Sequence, residues 1–313
     1  MYHFQSAILN SPQRESSEQD FLLYARPLTS KLLESMEMAK HYYHGDGDYL
    51  FYEQNNKIHR VLDLTGGYGA NLLGHRHPRI LNKVREWSET GSPSLTQGSI
   101  RNESGRLARR ISDILKQETG EGPWVSTFSN SGTEAVEAAL KHCLIYFQHR
   151  LIQLEQEIEK EMNQALVKFK RTNASLQKDL LYQIRKDLTD KIEKLRMSEE
   201  RKCFFLHEVS RSLDIDTLIS VVRNINKLQT AIRPSFVALE KAYHGKTMGA
   251  LSLTYSESFR HPFYLDTSNN LFTHFISPYQ DAVSLQAFIE STLTDTIFLT
   301  NSSTGITWAK HSF

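Results

Sequence analysis

Cysteine is scarce. The chain of 313 residues holds two, Cys143 and Cys203, with no CxxC pattern and no Cys/His ligand spacing, which excludes a disulfide framework and fits a reducing compartment. Long apolar runs are missing too. No window approaches the ~20 apolar residues that a membrane-crossing helix needs, and the first twelve residues lack a basic start followed by an apolar stretch, so the expectation is a cytoplasmic protein. Nor is there an excess of charge of one sign. With 37 basic residues against 36 acidic ones, nothing favours nucleic acid or a membrane surface, and small molecules or other proteins remain as partners. The hydrophobic share of 39% suffices for a sizeable core.

What is present centres on Phe128-Ser-Asn-Ser-Gly-Thr-Glu-Ala-Val-Glu-Ala-Ala-Leu-Lys141, a polar turn that opens into a strongly helical run. Ser131 with Glu134 three residues later has capping-box spacing, and Ala135, Ala138, Ala139 and Leu140 are good helix formers, so a helix should begin near Gly132. Its first-turn amides and the positive end of its dipole would attract an anion, and Gly132 lets that anion approach the backbone. An ordinary capped helix carries the same signature, and the residues alone leave both readings open.

Along the chain, Gln5 to Asp20 is a polar stretch expected to form a loose arm. A helix is expected after Pro27 through Met36, and short strands over Tyr49–Tyr52 and Val61–Leu64 around the turn Gln54 to Lys57. Gly66, Gly67 and Gly69 point to a tight loop from Thr65 to Asn71. His75 and His77 flank Arg76 with no carboxylate or cysteine to complete a ligand set, so no metal site is assigned. Helices follow over Pro78–Trp87 and Glu103–Gln117, then a strand over Trp124–Phe128. Beyond Lys141, Phe147 to Phe169 and Leu176 to Leu195 repeat apolar residues by threes and fours, with Thr172-Asn-Ala-Ser175 as the break. An antiparallel helical hairpin standing outside the core is expected, with an apolar edge that a protein partner could cover. Asp214 to Gln229 reads as a further helix, Ser235–Leu239 as a strand, Gln280–Leu293 as a helix and Thr296–Leu299 as the next strand.

Three stretches in register carry a resemblance: Leu62-Asp-Leu-Thr-Gly-Gly-Tyr-Gly-Ala-Asn-Leu-Leu-Gly-His-Arg-His-Pro78, Asn130-Ser-Gly-Thr-Glu-Ala-Val-Glu-Ala-Ala-Leu-Lys141 and Tyr243-His-Gly-Lys-Thr-Met-Gly-Ala-Leu-Ser252. Together they resemble the class III aminotransferases, pyridoxal-phosphate enzymes of fold type I. The resemblance covers about Tyr49 to Lys141 and Phe236 to Phe288 and fails in the segment between and at the C-terminal end. It implies an α/β large domain, a mostly parallel sheet with helices on both faces, interrupted by the helical insertion. The division expected is an N-terminal arm and lead-in over 1–60, large-domain parts over 61–141 and 235–299, the insertion over 142–234 and an off-pattern tail over 300–313.

The resemblance further implies pyridoxal 5'-phosphate as cofactor, with Ser131, Gly132 and Thr133 at its phosphate, Tyr243 stacked on its pyridine ring and His244 beside it. An amino donor, a 2-oxo acid acceptor and a homodimer are the partners it implies. No catalytic residue is assigned, because the family's Asp-Glu strand motif and Schiff-base lysine have no counterpart in these 313 residues, and Lys241, Lys246 and Lys310 lack its setting. The expectation is an incomplete chain without transaminase activity. Its rivals are a degenerate fragment that binds the cofactor or an anion, and a scaffold that works through the helical insertion.

Overall fold

The computed structural model describes residues 20–93, 98–231, 234–265, 272–302 and 305–312; the arm expected from Gln5 lies outside them up to residue 19. The chain divides into two units, Met1–Asn102 and Glu103–Phe313.

In the first unit, Pro27 opens helix α1 (Pro27–Ser35), where its fixed φ suits the first helical position. Three antiparallel strands follow, β1 (Tyr42–Asp46), β2 (Tyr49–Gln54) and β3 (Lys57–Leu62). Asn55 and Asn56, at φ 54° and 58°, make the two-residue turn between β2 and β3, a left-handed pair that matches the twist of a hairpin. The strand expected over Tyr49–Tyr52 lies within β2. The one expected over Val61–Leu64 shares only Val61 and Leu62 with β3, because the turn closes at Asn55-Asn56 and frees Lys57 to pair. Strand β1 is not expected from the sequence, since its Tyr-Tyr-His-Gly-Asp composition shows no apolar alternation. Helix α2 (Pro78–Glu89) again starts on a proline.

The second unit begins with α3 (Asn102–Thr119). The expected strand at Trp124–Phe128 is not formed. The Trp124 amide donates to Ser112 Oγ (2.9 Å) and its indole N–H to the Glu121 carbonyl (3.0 Å), so this extended stretch is tied to α3 and its own loop instead of a sheet.

Helix α4 then runs without interruption from Gly132 to Arg171, 40 residues, about 60 Å at the usual rise. No glycine or proline falls between Thr133 and Arg171. The expected boundary at His142 is therefore absent, and the helix that starts at the polar turn is also the first arm of the insertion. Asn173 caps α5 (Ala174–Glu193) through a bond from the Leu176 amide (2.9 Å), while Gln177 Nε2 donates to the exposed carbonyls of Phe169 (3.2 Å) and Thr172 (2.9 Å). Both helix ends at the break are thus satisfied by side chains. Helices α6 (Glu199–Arg211) and α7 (Ile215–Thr230) complete the layer.

The helical segment does not stand outside a core; it forms the principal one. Met162, Ala165 and Phe169 of α4, Ile184, Leu188 and Ile192 of α5, Val209 of α6 and Leu218, Val222 and Ile225 of α7 are all fully or nearly fully buried together. The residues expected to be the next sheet strand and an off-pattern tail form the hairpin β6 (Asp295–Ser302) and β7 (Gly305–Ser312), which contributes Ile297, Leu299 and Trp308 to the same cluster. The hairpin's edges are closed by helix side chains. Asn226 accepts from the Ile297 amide (2.9 Å) and donates to its carbonyl (2.7 Å), imitating a neighbouring strand along β6. Asp187 accepts from the Trp308 amide (3.0 Å) and Thr307 Oγ1 (2.7 Å) along β7. The apolar faces of α4 and α5 that suggested a protein partner are therefore covered, in large part, by this chain's own helices and hairpin.

The parallel sheet expected of the fold is represented by β4 (Ser235–Leu239) and β5 (Phe272–Ile276), which pair in parallel from Ser235 with Phe272 to Leu239 with Ile276. Short helices α8 (Met248–Ser252) and α9 (Glu257–Arg260) lie between them, and α10 (Ala282–Thr292) follows.

Candidate functional site

The candidate site lies where α4 begins. Ser131 Oγ accepts from the Glu134 amide (3.3 Å), and Glu134 Oε2 reaches back to the amides of Asn130 (2.8 Å) and Ser131 (2.9 Å), a complete capping box. An α-helix offers its first-turn amides no internal acceptor. With Asn130, Ser131 and Glu134 engaged, the N–H groups of Gly132 and Thr133 are, among the described residues, the donors that remain at the positive end of the dipole. The Ser131 hydroxyl, an acceptor in the box, keeps its own proton to donate. A Cβ built on Gly132 meets nothing within 4 Å, so the approach to these donors is open.

Tyr243 and His244 follow β4 in sequence, more than a hundred residues after the capping box, and the structure brings their loop to the start of α4. Thr133 Oγ1 lies 3.3 Å from Thr247 Oγ1. Gly245 is the point of closest approach: at φ +132°, a Cβ added there would fall 2.6 Å from Thr133 Cβ and 3.2 Å from Ala250 Cβ. Only glycine takes this conformation without strain and this proximity without collision. Glu137, one turn beyond Thr133, completes the junction. Its Oε1 accepts from Thr247 Oγ1 (2.6 Å) and from the amides of Gly249 (2.8 Å) and Ala250 (3.2 Å), the last two in α8. Beneath the loop, buried Thr254 accepts from the His244 amide (3.1 Å) and donates to the Gly245 carbonyl (3.1 Å).

The aromatic ring is available. Tyr243 is 60% exposed and meets Phe259 edge-on at 6.3 Å between centroids. The Lys246 ammonium stands over the other aromatic system of this corner, 4.6 Å from the centre of Phe259.

The hydrogen bond from Thr247, followed by the amides of Ala250 and Gly249 and by the Lys141 charge, holds the Glu137 carboxyl below its ordinary value of 4.5 against the opposing effect of burial. A carboxylate whose pKa falls on folding adds stability above the unfolded value and loses it as pH drops through the folded one. A comparison of wild type with Glu137→Gln should therefore show a gap of about 2–4 °C in melting temperature at neutral pH, the difference between charged and neutral acceptors. The gap should persist down to about pH 4.5 and close below it; a pH-independent gap would mean that charge at Glu137 is irrelevant.

In the first unit, the loop from Thr65 to Asn71 is tight, as its glycines suggest, with Gly66, Gly67 and Gly69 at positive φ. Asp63 organises it: Oδ1 accepts from the amides of Thr65 and Gly66 (both 3.0 Å), and Oδ2 lies 2.9 Å from His75 Nε2. The Gly66 amide and then His75 lower the Asp63 pKa from its ordinary value. His75 is thus a partner of Asp63, and the His75 ring packs against Gly45, where an added Cβ would sit 2.8 Å from its Cγ.

Glu137 and Thr247 did not emerge from the sequence as a pair. The one available signal was spacing: Glu137 lies four residues after Thr133, on the same face of the helix.

The family model described as aminotransferase class-III matches residues 34–291. The aminotransferase PigE of a Serratia species is 28% identical over 135 residues, 43% of this chain and 15% of that protein. Glutamate-1-semialdehyde 2,1-aminomutase of Thermus thermophilus is 35% identical over 99 residues, 31% of this chain and 20% of the enzyme. Putrescine aminotransferase of Pectobacterium atrosepticum is 39% identical over 85 residues, 27% of this chain and 17% of the enzyme. The matches thus span about a fifth or less of these relatives' lengths. Among the described residues, no helix is long and apolar enough to cross a membrane.

Proposed function

This chain belongs to the class III aminotransferases, pyridoxal-phosphate enzymes of fold type I, and on that premise we propose that the junction of α4 with the Tyr243–Thr247 loop is its cofactor site. The observation that carries the reading is the convergence of the two segments, joined by Thr133, Thr247 and Glu137 across more than a hundred residues. The amides of Gly132 and Thr133 and the Ser131 hydroxyl hold the phosphate. The exposed face of Tyr243 lies against the pyridine ring, and His244 flanks it. Pyridoxal phosphate, when bound, supplies the electron sink for moving an amino group between an amino acid or ω-amine and a 2-oxo acid. The protein works as a homodimer in this reading.

A titration of the protein with pyridoxal phosphate, followed by absorbance and fluorescence, tests the site. Gly132→Val should weaken binding by about tenfold or more, because a branched side chain then covers the donors. Unaltered affinity would remove the assignment.

The 313-residue polypeptide by itself is expected to bind the cofactor without turnover. Lys310 is paired with Asp295 at 3.0 Å, and the Lys246 ammonium stands over the Phe259 ring. Borohydride reduction with pyridoxal phosphate, peptide mass mapping and an amino-transfer assay on one sample check this. A single stoichiometric lysine adduct with turnover would overturn it.

A further inference from the structure

We propose that Glu137 is a positioning residue that clamps the Tyr243–Thr247 loop to α4 and thereby fixes the aromatic ring relative to the anion donors. The proposal rests on the cofactor reading above and adds a device that the family resemblance does not assign. Its basis is geometric. The donors at Gly132 and Thr133 belong to one helix, while Tyr243 belongs to a loop between β4 and α8, and the two need a fixed separation if one ligand is to touch both. A single oxygen, Glu137 Oε1, binds Thr247 Oγ1, the Gly249 amide and the Ala250 amide. These are the end of the loop and the first turn that follows it. The fit is close on both sides: a Cβ on Gly249 would lie 2.8 Å from Glu137 Cδ, so the loop seats directly on the carboxylate.

The opposite oxygen is not needed to make these bonds, which predicts an ordered series. Glu137→Leu keeps the bulk and removes the acceptor; Glu137→Gln keeps an acceptor and removes the charge. Thr247→Val removes one donor. Glu137 touches no ligand in this reading, so the anion donors should be unaffected by any of the three.

The experiment measures pyridoxal phosphate binding, the induced circular dichroism of the bound cofactor and competition by inorganic phosphate, on the full chain. Glu137→Leu should raise the dissociation constant for pyridoxal phosphate about tenfold and abolish most of the induced signal at equal occupancy, while the competition constant for inorganic phosphate stays within about twofold. Thr247→Val should move in the same direction and Glu137→Gln should recover most of the signal. Amide hydrogen exchange at Gly249 and Ala250 reads the clamp without any ligand, and protection there should fall in Glu137→Leu. Unchanged exchange, or an unchanged induced signal in a folded Glu137→Leu protein, overturns the proposal. Equal losses for phosphate and pyridoxal phosphate also overturn it, since they would place Glu137 in the anion site itself. A wild-type protein that shows the protection but no cofactor binding would instead sink the cofactor reading, and the positioning role with it, while leaving the loop contact intact.

Discussion

Gly245→Val is expected to lose pyridoxal phosphate binding by about a hundredfold or more, the largest functional effect of any single change in this site. Two costs combine. At φ +132° a branched residue is held in a region open almost only to glycine, worth about 1–3 kcal/mol. Its Cβ also lands 2.6 Å from Thr133 Cβ, so either the loop or the first turn of α4 must move. Movement of either separates Tyr243 from the amides of Gly132 and Thr133. Gly245→Ala incurs both costs through the same Cβ and removes only the contribution of the branches. Adding Thr133→Gly to Gly245→Ala removes the obstacle but not the backbone strain, so affinity should return in part and the two changes should be strongly non-additive. Full retention of binding in Gly245→Val would mean that the loop and the helix are not parts of one site.

Trp308→Ala should produce the largest loss of stability, about 3–5 kcal/mol, which for a unit of this size lowers the melting temperature by about 8–15 °C. Trp308 is 2% exposed, sits in the cluster shared by α4 to α7, and donates from Nε1 to the Ile184 carbonyl at 2.9 Å. Trp308→Phe keeps most of the apolar contact and loses the hydrogen bond, so it should cost about 1 kcal/mol. The gap between the two variants measures packing against hydrogen bonding at one position. The same cluster reverses an expectation drawn from the sequence. A chain that joins Tyr146 to Ser235 through a short Gly/Ser linker loses nearly every buried partner of Ile297, Leu299 and Trp308, and its cooperative unfolding should disappear. Thermal unfolding followed by circular dichroism checks all three proteins. Retained cooperativity in the joined chain would show that the helices are dispensable after all.

Local chemistry made much of this protein legible in advance. The capping box at Ser131 and Glu134 is a matter of four consecutive residues, and the start of α4 at Gly132 followed from it. The prolines at the heads of α1 and α2, the Asn55-Asn56 turn and the glycine loop after Leu64 are equally local. The family, and with it the cofactor, was readable because three such local signatures occur in order. The ends of elements that depend on a partner were not readable. Trp124–Phe128 has the composition of a strand, but a strand needs a neighbour, and Ser112 and Glu121 take the two N–H groups of Trp124 instead. The heptad-like spacing of α4 and α5 announced buried faces without saying what would bury them. Tertiary structure supplied α6, α7 and a C-terminal hairpin, whose edge groups are satisfied by Asn226 and Asp187, residues far away in sequence. Likewise Tyr243 and Gly132 were each visible as separate motifs, while the contact that brings their segments together, Glu137 to Thr247, exists only after the chain has closed on itself. Sequence fixes what each segment can form, because capping and backbone freedom act within a few residues; which segments meet is decided by burial and long-range hydrogen bonding, which act only in the folded chain.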